Sequence, residues 1–386
     1  MKIKNHISEW KKAVFYYLYR IYAIKQNKIV FCNYNGKGYG CNPKYIAQEL
    51  IRRHPDWDYV WLVNDINTKM PKEIRLVEYN SKQSIYELAT AKVWVDNQRK
   101  LWFNRKRKNQ FFIATWHGAG IPMKKIGADN PNNYKNRPYK HTSKHMNKIT
   151  DIMISNSEEC TRIFHKAFLY KKEIINCGYP RNDILIMAKS KQIPYIQKIK
   201  NKFNIKDDEK IALYAPTYRN SRSLDKYILD YEKIIDTLSE RFGGKWHFLL
   251  KLHPTMRNKK DEIKKQYYVT DASDYEDMQE LLVASDILIS DYSSVITEFG
   301  LMKKPIFLFA TDINEYSNER DFYCDYFSLP FSVSETNEQL IEQIKSFSYL
   351  DYSDKIDKCY KKFGIYEPGN ASKIVADFIE KEVISK

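Results

Sequence analysis

A chain of 386 residues is longer than one small core needs and fits two domains of roughly 150 to 200 residues each. Its 43% hydrophobic residues supply a sizeable core, while a mean hydropathy of -0.62 and the lack of any apolar run of about 18 residues argue against a membrane span. With 64 basic and 48 acidic residues the formal net charge is +16. The surface therefore attracts anions, whether nucleic acid, anionic lipid or a phosphorylated substrate, and charge alone does not choose among them.

The chain opens with an amphipathic segment, residues 1–27. Within SEWKKAVFYYLYRIYAIK, Trp10, Val14, Leu18 and Ile21 recur at helical spacing beside Lys11, Lys12, Arg20 and Lys25. That pattern suits a helix lying on an anionic membrane, and it equally suits a helix docked on the protein's own core with a solvated basic face. Arg20 interrupts the apolar stretch and no small-residue cleavage site follows, so it does not read as a secretory signal.

Six short apolar runs come next: KIVFCNY, DYVWLVN, EIRLVEY, AKVWVDN, FFIATWH and ITDIMISNS. Each is bounded by turn residues and separated by helical patterns, which predicts parallel strands in one lobe over residues 28–187. After the first run, NYNGKGYGCNP gives G-x-G-x-G at Gly36, Gly38 and Gly40. This is not the dinucleotide fingerprint G-x-G-x-x-G, and it reads as a tight loop. A second basic and aromatic stretch, RKLWFNRKRKNQFF, precedes the fifth strand. A polar, lysine-rich linker is expected over residues 188–208. The strand grammar then resumes in residues 209–386 with KIALYAPTY, WHFLLKLHP, QYYVTDAS, DILISDY and KPIFLFATD. Two doubly wound α/β lobes are the resulting fold expectation.

In open sheets of this kind ligands sit beyond the carboxyl ends of the strands, so the residues just after each strand are the candidates. They are Trp116 and His117; Pro216, Thr217, Tyr218 and Arg219; Lys251, His253 and Pro254; and Asp291 through Ser294. His117 lies in a turn with Gly118 and Gly120, followed by Lys124 and Lys125. An imidazole there can accept a proton from an attacking hydroxyl, and its plainer use is as a structural histidine. Arg219 offers paired donors to phosphate oxygens, though Arg219 and Lys251 also read as surface charges. Ser293 and Ser294 stand at a strand-to-helix turn, where unpaired N–H groups and the helix dipole favour a phosphate. A single serine suffices as a cap, and Glu298 follows Ser294 by four residues rather than three, so a capping box does not account for the pair.

Six scattered cysteines form no C-x-x-C pair and no zinc spacing, and read as reduced thiols of a cytoplasmic enzyme. Neither Asp96 nor the acids between Asp271 and Asp277 are spaced as metal ligands. No metal and no cofactor are expected.

As a set, TWHG with KKIG around His117, GYPRNDIL from Gly178, YAPTYR from Tyr214, LLKLHP with His253, and LLVASDILISDYSSVITEFGLMKKPIFLF resemble the CDP-glycerol glycerophosphotransferases. These are the teichoic acid primases and polymerases of bacterial cell walls, with members that make capsular polymers. The likeness runs from about Asn97 to Gly369. It implies a GT-B-like arrangement, two Rossmann-like doubly wound lobes facing a central cleft. It also implies a CDP-polyol donor on the C-terminal lobe, a lipid-linked or saccharide acceptor meeting the N-terminal lobe, and peripheral attachment to the cytoplasmic face of the membrane. By the same resemblance His117 is the general base, His253 a second essential histidine near the donor phosphates, and Arg219, Ser293, Ser294 and Thr217 the donor phosphate ligands. Asp291, Lys251, Lys124, Lys125, Pro216 and Glu298 are further contacts for donor or acceptor.

Two departures from the family pattern stand out. The loop GAGIPMKK is longer than the GTPLKK common in glycerol-phosphate members, which leaves the choice of glycerol or ribitol and the acceptor open. The chain also lacks the long N-terminal extension of the large polymerases, which favours a primase or compact transferase. The rival expectation is a GT-B glycosyltransferase using a nucleotide-sugar. Nucleic acid is not expected as a partner, because no recognition helix or RNA-binding motif is present.

Overall fold

The computed structural model describes residues 2–118, 121, 124–130, 137–217, 219, 228–252 and 269–384. His253, Tyr218 and Pro254 lie outside them.

Thirteen described strands form two parallel sheets. The first holds β1 (Lys25–Cys32), β2 (Asp58–Val63), β3 (Ile74–Glu78), β4 (Ala91–Asp96), β5 (Phe111–Ala114), β6 (Ile152–Ser155) and β7 (Ile174–Asn176), in the order β3-β2-β1-β4-β5-β6-β7. The second holds β8 (Glu209–Ala215), β9 (Lys245–Leu250), β10 (Val269–Asp271), β11 (Ile287–Ser290), β12 (Ile306–Phe309) and β13 (Ser332–Ser334), in the order β10-β9-β8-β11-β12-β13. Continuous apolar runs such as Ile287–Ile289, buried throughout, are what a strand covered by helices on both faces requires. In each sheet the strand order reverses once, between β1 and β4 and between β8 and β11. Those two reversals are where an open sheet leaves a crevice for a ligand.

All eleven expected strands are present, and β7 and β13 are additional. The chain divides into two compact units, the first comprising Met1–His117, Gly127–Asp183 and Tyr366–Lys386, the second Gly118–Ile126 and Ile184–Ile365. Two segments thus fall differently from the expected boundaries. Residues 189–203, read as linker, form a helix that packs on the helix Met278–Ala284 within the second unit. The helix Ala371–Ile384, expected with the C-terminal lobe, contributes Val375, Ala376, Ile379 and Val383 to the core under the first sheet. Asp183 accepts from the N–H groups of Ala371 and Ser372 at 2.9 and 2.8 Å, and Arg53 pairs with Asp377 and Glu380. An amphipathic pattern says that a helix will dock, and does not say on which sheet.

The helix Lys2–Leu18 buries Ala13 and Tyr16, whose ring meets Trp94 edge-on. Its stripe of Trp10, Val14 and Leu18, continued by Ile21, remains exposed. The second basic stretch adjoins it: Trp102 donates to Glu9 at 2.6 Å and Arg105 to the Tyr17 hydroxyl at 2.9 Å. In the glycine loop Gly36 has φ +88°, and a Cβ there would stand 2.8 Å from that of Tyr79, so only glycine fits.

Candidate functional site

In the first unit the site is built beside the β1/β4 reversal. Asn97 follows β4, and its carboxamide spans to the loop after β1, donating to Asn33 Oδ1 at 2.7 Å and accepting from the Tyr34 N–H at 2.8 Å. Its backbone carbonyl lies 2.8 Å from His117 Nδ1. A carbonyl only accepts, so Nδ1 carries the proton and Nε2 is left as the basic nitrogen. Aromatic rings fix the imidazole plane, Tyr34 edge-on at 5.0 Å and Trp116 at 4.1 Å. Burial foremost, with the Arg181 charge adding to it against the pull of the Asn97 carbonyl, holds the His117 pKa down to about 4. The ring is therefore neutral at pH 7 and able to take a proton. Behind Trp116 is a cavity of about 30 Å³, bordered by Arg99, Ser143, Thr150 and Phe168. It has room for roughly one water and none for a nucleotide.

The second unit has its own cluster at the β8/β11 reversal. Asp291, just beyond β11, accepts from the Thr217 N–H at 2.9 Å, from the Thr217 hydroxyl at 2.5 Å and from the Tyr292 N–H at 2.6 Å. It also pairs with Arg219 Nη1 at 2.8 Å. Arg219 directs its fork at Asp312, Nε at 2.6 Å and Nη2 at 2.9 Å, and gives Nη1 to the Thr217 carbonyl at 2.6 Å. Its guanidinium lies over Tyr292 and Tyr316, which stack at 3.9 Å. Burial opposes this charge, but Asp291 and Asp312 outweigh it and raise the Arg219 pKa. Lys124 donates to the Tyr316 hydroxyl at 3.0 Å and Lys125 pairs with Asp321 at 2.5 Å.

Ser293 and Ser294 are both half-buried at the start of the helix Val295–Gly300. Ser293 Oγ accepts weakly from the Val295 N–H, at 3.4 Å, whereas the Ser294 side chain makes no capping bond. Capping thus does not account for Ser294.

The structure therefore brings Thr217, Arg219 and Asp291 together in one network and leaves the two serines beside it on the same strand end. Others among the sequence candidates are engaged elsewhere. Lys251 gives its ammonium to the carbonyls of Ser273 and Tyr275, Glu298 is buried and accepts from Gln279, and Pro216 is buried. Asn97, Asp312 and Tyr316 were not singled out in the sequence. Asn97 and Asp312 stand within three residues of a strand end, so the same positional rule reaches them.

Residues 14–381 match the family described as CDP-Glycerol:Poly(glycerophosphate) glycerophosphotransferase. A teichoic acid poly(glycerol phosphate) polymerase of Staphylococcus epidermidis is 32% identical over 377 residues, covering 93% of this chain and 51% of that protein. A teichoic acid glycerol-phosphate transferase of Staphylococcus aureus is 32% identical over 395 residues, covering 98% of this chain and 100% of the other. The chain thus spans about half the length of the first relative and all of the second. Among solved structures, the wall teichoic acid polymerase TagF superposes with a TM-score of 0.85 at 30% identity, covering 99% of this chain and 96% of that one.

Proposed function

We propose, for a chain that belongs to the CDP-glycerol:poly(glycerophosphate) glycerophosphotransferase family, that it moves a polyol phosphate from a CDP-polyol to a hydroxyl of a lipid-linked or saccharide acceptor, in teichoic acid or capsular polymer synthesis. Glycerol phosphate is the favoured unit. The acceptor oxygen attacks the polyol-side phosphorus, the anhydride bond to CMP breaks, and His117 Nε2 takes the proton the hydroxyl loses.

The observation that carries this reading is the His117 imidazole, neutral, with Nδ1 committed to Asn97. In the second unit, Thr217, Ser293 and Ser294 supply hydroxyls to the donor phosphates, and His253, by the family resemblance, is the second histidine. Arg219 contributes charge and order through Asp291 and Asp312, which support the turn carrying Thr217. Positioning and charge stabilisation then supply most of the rate.

The protein acts, on this reading, at the cytoplasmic face of the bacterial membrane and attaches peripherally. Among the described residues no helix is long and apolar enough to cross a bilayer. What supports attachment is the exposed stripe of Trp10, Val14, Leu18 and Ile21 beside Arg105 and Arg107, an apolar face with cationic neighbours that suits anionic lipid.

The test is CMP release from CDP-glycerol and, in parallel, CDP-ribitol, with a lipid-linked saccharide acceptor. Release from one donor supports the reaction and names the polyol. Silence with both, together with turnover of a nucleotide-sugar, overturns it.

A further inference from the structure

The motif GYPRNDIL is part of the family resemblance yet supplies none of the proposed ligands. It folds as the short turn Pro180–Asn182 after β7. The Tyr179 N–H and the Asn182 carboxamide donate to Glu367, at 3.0 and 2.6 Å, and Asp183 caps the helix Ala371–Ile384. Those bonds hold the first unit together. Arg181 does something else.

Only 3% exposed, Arg181 donates from Nη1 to the carbonyl of His117 at 3.0 Å and to Cys41 Sγ at 2.9 Å. Its own N–H donates to Asn42 Oδ1 at 3.2 Å. Asn42, fully buried at the start of the helix Cys41–Arg53, donates from Nδ2 to the carbonyls of Thr115 and Trp116, at 3.3 and 3.2 Å. Two linked side chains therefore hold three successive carbonyls, those of residues 115, 116 and 117.

The middle residue of that turn is Trp116, with φ +53°. A bulky aromatic in the left-handed region is strained and persists only where its surroundings over-determine it. The buried donors supply that determination, since each carbonyl they hold fixes a peptide plane on either side of the strained residue. A relaxed turn would carry the His117 Cα, and with it the ring, away from the Asn97 carbonyl.

We propose that Arg181 and Asn42 are positioning residues for proton transfer, clamping the strained Trp116–His117 turn so that Nε2 of the base keeps a single orientation. This rests on the reading of His117 as the base. A guanidinium does not deprotonate in proteins, so its buried charge also disfavours imidazolium next to it and keeps the ring in its accepting form. Geometry and charge are separable, because lysine keeps the charge and loses the planar fork, while methionine loses both.

The full chain, labelled with carbon-13 histidine, is titrated by NMR without substrate, the His117 signal being assigned with His117→Gln. Turnover and circular dichroism are measured on the same samples. In Arg181→Met the His117 midpoint is expected to rise by about one pH unit. kcat is expected to fall by ~10–100-fold, with the donor KM within about twofold, because the phosphate ligands belong to the other unit. Arg181→Lys is expected to keep the midpoint and lose rate, and Asn42→Ser to behave as Arg181→Lys does. An unmoved midpoint with wild-type kcat in folded Arg181→Met overturns the proposal, as does rate loss matched in every variant by loss of folded protein. Should Arg181→Met not fold, the Arg181→Lys and Asn42→Ser pair decides the geometric claim. Normal turnover in His117→Ala would instead remove the base assignment and leave the substrate-free titration to judge the clamp.

Discussion

At the scale of single residues, the low pKa of His117 has a directional consequence for pH profiles. Burial makes the protonated ring costly in the free protein, so the acid limb of kcat/KM is expected near pH 4 rather than near the ordinary 6.5. A bound donor brings negative charge and favours imidazolium, which raises the limb seen in kcat above that in kcat/KM. Steady-state rates between pH 3.5 and 8 measure both limbs, and a kcat limb at or below that of kcat/KM would contradict the assignment. One carboxylate and one hydroxyl separate scaffold from site. Glu298 is buried against Gln279, so Glu298→Gln should leave the donor KM within about twofold, while Ser294→Ala, which removes a hydroxyl that caps nothing, should raise it by ~10-fold. Asp312→Ala strips the fork partner from a buried guanidinium and should cost about 3 kcal/mol in urea unfolding. Such partnerships were not legible beforehand. That Arg219, Thr217 and Asp291 follow strands could be read from the pattern; that Arg219 would face Asp312 depends on which strands become neighbours, and those residues are 93 apart in sequence.

For the elements, length and flanking chemistry decided what could be read. The eleven strands found in the sequence are apolar runs between turn residues, while β7 and β13 set no more than two apolar residues in succession. The helix Lys189–Phe203 was obscured by Pro194 and by its lysines, although Ile199 is fully buried on one face. The N-terminal pattern admitted two uses, docking or membrane contact; one face docks, and the exposed face is the one proposed for the membrane. Ala13 and Tyr16 dock; Val14 and Leu18 do not, and Trp10, largely exposed, touches the body through the Trp102 ring, edge-on at 5.2 Å. Replacing Val14 and Leu18 together by glutamate should abolish co-sedimentation with anionic vesicles and leave unfolding free energy within about 0.5 kcal/mol, as exposed sites allow. Tyr16→Ala should do the reverse, costing about 3 kcal/mol through the cavity beside Trp94. Retained vesicle binding in the double variant would remove this helix as the anchor.

Over the whole molecule, two sheets that each reverse once between their first and fourth strands explain why chemistry-bearing residues gather after β4 and β5 and after β8 and β11. Strand spacing announced that much. The division of the chain into units did not follow from it, because the last helix completes the first sheet's core rather than the second's. That allocation reaches beyond packing. Every segment of the second unit has been synthesised by residue 365, whereas the first unit still awaits Glu367 and the helix that Asp183 caps. The unit that holds the earlier residues therefore also needs the later ones, inverting the usual vectorial order. A nascent chain stopped at residue 365 should show a protease-resistant second unit and a first unit still open to cleavage, and ribosome-bound chaperones would have that uncovered sheet to shield until residues 366–384 emerge.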